Sequence, residues 1–119
     1  MTIMVVDDSA VMRKLVIRAL RQAGYGSHEV VEAADGAEAL EAIRQNAPDV
    51  VLSDWNMPNM SGLELVSALR AEGNDVPLGF VTSESNSELH ESATEAGASF
   101  LLSKPFTPDD LSAHLGSIL

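Results

Sequence analysis

The sequence has no cysteine, which removes disulfides and thiolate metal ligands from consideration. Basic residues are scarce: seven Lys and Arg stand against 18 Asp and Glu, a formal net charge of −11. A nucleic-acid or anionic-membrane surface needs a basic footprint, so this balance argues against both. No apolar run approaches the ~20 residues that span a bilayer. The opening MTIMVVDDSA lacks the basic flank and long apolar stretch of a signal peptide, and the cytoplasm is the expected compartment. There is no GxxxxGKS or GxxxxGKT phosphate cradle. GYG at 24–26 falls between a helix and a strand, on the wrong side for a dinucleotide fingerprint. Ser83, Ser85 and Ser87 have no nearby His in an elbow motif, so a hydrolase triad is unsupported. His28, His90 and His114 fall on three separate elements and read as surface residues, because a ligand set needs convergence.

What remains is an ordinary globular composition, 45% hydrophobic and 21% charged over 119 residues. That length suits one domain with one core, expected to span residues 1–119. Charge is unevenly spread. Arg13, Lys14, Arg18 and Arg21 share one segment, whereas from Ser83 to Leu119 the one base, Lys104, faces six acids.

Short apolar runs alternate with amphipathic stretches. TIMVV (2–6), HEVVEA (28–33), VVLS (50–53), PLGFVT (77–82) and SFLLS (99–103) read as strands. Helices are expected between and after them. The first covers 9–23, with Ser9 as N-cap, Val11, Leu15, Ala19 and Gln22 recurring at helical spacing, and Gly24 as its stop. Asp35 caps a second through Asn46, Ser61 a third over 62–71, and a short polar fourth covers 87–96. Thr107-Pro108 opens the last, with Asp109 and Asp110 suited to a positive helix N-terminus. A strand–helix unit repeated five times argues for a parallel sheet covered on both faces. Such sheets form their sites at the carboxyl ends of the strands.

Those ends carry chemistry. Strand one ends in Asp7-Asp8, strand three in Asp54, strand four in Thr82 and strand five in Lys104. Parallel strands place three carboxylates, a hydroxyl and an ammonium at one rim. Crowded carboxylates repel and raise one another's pKa values unless compensated. A hard cation with oxygen ligands resolves this, which points to Mg²⁺, or Mn²⁺, and away from zinc. Lys104 and Thr82 remain as donors for an anion beside the metal. The combination describes a phosphoryl site in which Asp54 is an aspartyl-phosphate nucleophile.

The set Asp7-Asp8, Asp54, Thr82 and KPF (104–106) extends over essentially the whole chain. It resembles the receiver domains of two-component response regulators, and SDWNMPNMSG (53–62) resembles their chemotaxis branch. The resemblance implies an α/β fold: a doubly wound, flavodoxin-like, five-stranded parallel sheet in the order 2-1-3-4-5 with five helices. It implies that Asp54 accepts a phosphoryl group from a histidine kinase or a histidine phosphotransfer protein. Asp8, Asp54 and the Asn56 backbone carbonyl would ligate Mg²⁺, with Asp7 acting through a water. Thr82 and Lys104 would contact the phosphoryl oxygens, and the Lys104–Pro105 bond would be cis. Asn56 and Glu84 would flank the acyl phosphate and set its hydrolysis rate. The implied protein is a monomer that catalyses only its own phosphorylation and dephosphorylation and then switches partner binding, with a flagellar motor switch as one candidate partner.

Two features depart from that pattern. Leu101 stands where an aromatic is usual, three residues before the Lys, and it cannot hydrogen-bond. The last third is acidic where motor-binding relatives present lysines. Alternative readings are a phosphate relay or sink without an output surface, a scaffold that works without phosphorylation, and a metal-dependent phosphohydrolase. The complete acid–Thr–Lys set argues against the scaffold, and no substrate pocket is evident for the hydrolase.

Overall fold

A computed structural model describes residues 1–83, 87–104 and 106–118. Five strands, β1 (Thr2–Val6), β2 (Glu29–Ala33), β3 (Val50–Ser53), β4 (Leu78–Thr82) and β5 (Phe100–Ser103), alternate with five helices. The helices are α1 (Ala10–Leu20), α2 (Gly36–Gln45), α3 (Gly62–Ala71), α4 (Ser87–Ala96) and α5 (Pro108–Leu115). The strands form one sheet in the order β2-β1-β3-β4-β5, and every pairing is parallel.

Strand alternation divides the core in two. Met4 and Val6 of β1, Val51 of β3 and Phe80 of β4 face α2, α3 and α4, where they meet Leu40, Ile43, Leu65 and Leu69. Ile3, Val5, Leu52, Val81 and Leu102 face the opposite way, onto Val16 and Leu20 of α1 and Leu111 and Leu115 of α5. Both faces of the central strands are buried, which is why their sequences read as unbroken apolar runs.

The caps follow the sequence. Ser9, Asp35, Ser61 and Thr107 each accept a backbone N–H from the first turn of their helices. Ser61 with Glu64, and Thr107 with Asp110, complete reciprocal capping boxes, which satisfy donors that a helix start leaves open.

The first helix differs from the sequence expectation. It ends at Leu20 and widens into a π turn over Arg21–Tyr25, where Gly24 takes φ +98°. Its buried residues are Val16 and Leu20, while Val11 and Leu15 are 68% and 50% exposed. The segment is apolar at 11, 12, 15, 16, 17, 19 and 20, so periodicity alone could not choose between two stripes. The last helix ends at Leu115.

Two close approaches shape the sheet. A Cβ on Gly79 would lie 2.0 Å from Cε2 of Phe100, whose ring covers that position from the neighbouring strand. Phe100 in turn stacks on His114 of α5, with ring centroids 4.8 Å apart and planes 10° from parallel.

Candidate functional site

Register fixes where the strand ends fall. Val6 pairs with Ser53 and Thr82 with Ser103, so the residues that follow β1, β3 and β5 emerge on one edge. Asp54 N donates to the Val6 carbonyl at 2.8 Å, and Lys104 N donates to the Thr82 carbonyl at 2.7 Å. The backbone ladder thus runs on to the candidate site residues themselves.

Asp7, Asp8 and Asp54 offer carboxylate oxygens that all lie within 4.8 Å of one another. Asp7 is buried, Asp54 half-buried and Asp8 exposed. The Lys104 ammonium sits between two of them, 3.6 Å from Asp7 Oδ2 and 3.8 Å from Asp54 Oδ1. Among the described residues, Lys104 thus pairs with two of the three carboxylates at the rim. Asp7 Oδ1 also accepts the Ser9 amide at 2.9 Å, and Asp54 Oδ1 accepts the Trp55 amide at 2.9 Å. These bonds aim both carboxylates toward the common point. The Thr82 side chain is buried at the end of β4.

Arg13, one of the basic residues of the first helix, is engaged within the protein. Its Nη1 donates to the Asp7 carbonyl at 2.7 Å, and its Nε pairs with Glu32 at 3.0 Å. Arg13 braces the turn that carries Asp7. Nothing local in the sequence marks this bond, because an arginine one turn into a helix ordinarily reaches solvent.

The loop after β3 is tightly built. Gly62 N donates to the Trp55 carbonyl at 3.0 Å. A Cβ at Gly62 would lie 2.3 Å from the Asp54 carbonyl oxygen and 2.6 Å from Phe80 Cε1, so no larger residue fits there unchanged. Trp55 packs edge-on against Phe80, with centroids 4.8 Å apart. Asn56 is exposed on this loop. Leu101 is half-buried and packs against the α2–α4 core, while Phe100 faces the other core. Glu84 and Pro105 lie outside the described residues, as does the proposed cis bond.

Burial raises the Asp54 carboxyl above its ordinary pKa. Lys104 opposes that shift, Asp7 adds to it, the Trp55 amide opposes it and Asp8 adds to it. A carboxyl raised in the folded state supports folding while protonated. That contribution is complete below the unfolded value of ~3.9 and is lost as pH rises through the raised folded value. In metal-free protein, Asp54→Asn is accordingly expected to unfold at a higher temperature than wild type at pH 7. The gap should close as pH falls below ~4, as thermal melts across a pH series would read. A gap that widens on acidification would contradict the assignment.

Residues 3–116 match the response regulator receiver domain family, and the chain belongs to it. Chemotaxis protein CheY1 of Helicobacter pylori is 38% identical, covering 100% of this chain and 97% of that protein. A CheY homolog of Campylobacter jejuni is 39% identical, covering 100% of this chain and 92% of its own length. The Vibrio cholerae chemotaxis protein CheY4 superposes with a TM-score of 0.86 at 38% identity, over 99% of this chain and 98% of that one. The chain is a CheY-like receiver domain with the flavodoxin-like strand order expected of one.

Proposed function

We propose that this protein is a Mg²⁺-dependent phosphoacceptor of a two-component system, phosphorylated on Asp54 and switching the binding of a downstream protein. The observation that carries the reading is the convergence of Asp7, Asp8 and Asp54, with the Lys104 ammonium 3.8 Å from Asp54. Carboxylates outnumber the nearby cation, and all the side-chain ligand atoms are hard oxygens, which fits Mg²⁺ and, second, Mn²⁺. Asp8, Asp54 and the Asn56 carbonyl would hold the ion, with Asp7 acting through a water. When bound it would neutralise charge on the transferring phosphoryl group.

An Asp54 carboxylate oxygen attacks the phosphorus of a phosphohistidine. The new O–P bond forms as the N–P bond breaks, and the imidazole nitrogen leaves with its electron pair. Lys104 would compensate the charge of the phosphoryl oxygens, and the Thr82 hydroxyl would donate to one of them. Asn56 and Glu84, which follow β3 and β4 in sequence, would govern access of the hydrolytic water. The protein would act on itself only, in the cytoplasm, as a monomer.

Trp55 supplies the test, being adjacent to Asp54 and the only tryptophan. Mg²⁺ is expected to change its emission saturably, and acetyl phosphate to produce a second change that requires Mg²⁺. A flat response to both, with no gain in intact mass, would refute the reading and favour the scaffold alternative.

The phosphodonor surface follows from α1. From Ser9 to His28 the chain has four bases and no acid, on a protein that is otherwise strongly acidic. Val11 and Leu15 stand exposed beside them. Behind Leu15 a groove of about 560 Å³, lined also by Met12, Arg18 and Phe106, runs to Lys104. This is a surface for an acidic, partly apolar kinase or phosphotransfer face. Charge reversal at Lys14 and Arg21 should slow transfer from such a donor by about tenfold, in line with steered association. Transfer from acetyl phosphate should be unchanged; an equal fall in both rates would rule this surface out.

A further inference from the structure

Asp35 and Asn59 lie 24 residues apart in sequence and outside the acceptor cluster, yet they meet. Asn59 Nδ2 donates to Asp35 Oδ2 at 2.8 Å. The other oxygen of the same carboxylate, Oδ1, accepts the Glu38 amide at 2.8 Å as the cap of α2. Next to this contact Gly36 N donates to the Met60 carbonyl at 3.2 Å. A Cβ at Gly36 would lie 2.6 Å from that carbonyl oxygen, so the approach requires glycine. Asn59 reaches its position with φ +66°, the only positive φ among the described non-glycine residues. Asparagine tolerates that region better than most side chains.

The two bonds join segments that matter. Asp35 follows Ala33, whose carbonyl accepts the Asp7 amide at 3.1 Å. Asn59 and Met60 belong to the loop that starts at Asp54 and contains Asn56. The inner end of that loop is closed by Trp55 and Gly62, and its outer part is tied to the start of α2 through Asn59 and Met60. We propose that the Asp35–Asn59 pair is a latch that positions the β3–α3 loop for metal binding, making both residues positioning residues for the site. The inference rests on the metal site proposed above. The latch fixes the distance between the strand end bearing Asp7 and the loop bearing the Asn56 carbonyl, so the ion meets its ligands without first ordering the loop.

The test is Mg²⁺ binding by calorimetry, with no phosphodonor present. Asn59→Gly removes the amide and accepts the positive φ. Asp35→Ser keeps a cap for α2 and removes the second oxygen. The exchanged pair Asp35→Asn with Asn59→Asp restores one donor and one acceptor at unchanged net charge. Each single variant should weaken Mg²⁺ by about threefold or more, less than the ~10–100-fold typical of partners bonded directly to a ligand, and the exchange should return it to within about twofold of wild type. Hydrogen exchange of amides 55–61 in metal-free protein should quicken in the single variants and recover in the exchange. Unchanged Mg²⁺ affinity in either single variant overturns the latch, even if its melting temperature falls, because the pair would then be merely structural. An exchange as weak as the single variants overturns it too. Wild type that binds no Mg²⁺ refutes the metal site itself, and the latch with it.

Discussion

Asp54→Asn is expected to abolish phosphorylation by acetyl phosphate, read as loss of the donor-dependent gain in intact mass. The amide keeps an oxygen to accept the Trp55 N–H now held by Asp54 Oδ1 at 2.9 Å, so the loop geometry has no reason to change. What it loses is the anionic nucleophile. Asp7 cannot substitute: it is buried, with one oxygen on the Ser9 amide and the other beside Lys104. Asp8 is exposed and is the position at which slow adventitious labelling would first show. A fall of at least about a hundredfold is expected, equivalent to ~2.7 kcal/mol of barrier. Undiminished labelling at another residue would remove Asp54 from the centre of the mechanism.

The largest stability effect should come from Phe80→Ala. Phe80 is fully buried in β4, beneath Trp55 and against the backbone-tight Gly62. Truncating a buried Phe costs about 3–5 kcal/mol, because the cavity adds to the lost transfer energy. That is a large part of the ~5–15 kcal/mol typical of a whole domain. Urea unfolding would measure it. Trp55 emission in the folded variant should also shift toward that of a wetter indole, since the edge-on ring contact is gone. A loss below ~1 kcal/mol would mean that α3 collapses into the space, which the Gly62 contacts make hard to accommodate.

The strands and their order of occurrence were legible because buried parallel strands leave continuous apolar runs, as VVLS does between Asp49 and Asp54. The caps were legible because Ser9, Asp35, Ser61 and Thr107 act on amides within three residues of themselves. The clustering of Asp7, Asp8 and Asp54 was legible because parallel pairing turns separate strand ends into neighbours. The inward face of α1 was not: apolar residues surround most of that helix, and packing against the sheet and α5 together decides that Val16 and Leu20 are buried. The roles of Arg13 and Asn59 were hidden for another reason. Each depends on a hydrogen bond to a residue whose spatial proximity no local pattern encodes, the Asp7 carbonyl for one and Asp35 for the other.

The ring of Phe100 over Gly79 bears on how such a sequence can change. A side chain at position 79 would have to occupy space 2.0 Å from that ring, and the ring is itself confined by its stack on His114. Replacement of Phe100 by something small must therefore come first, and only afterwards can Gly79 grow. The reverse order passes through an overpacked intermediate on a fully buried strand. The two positions form a one-way gate for sequence drift: a chain that has acquired the aromatic at 100 cannot acquire a side chain at 79 until it gives the aromatic up.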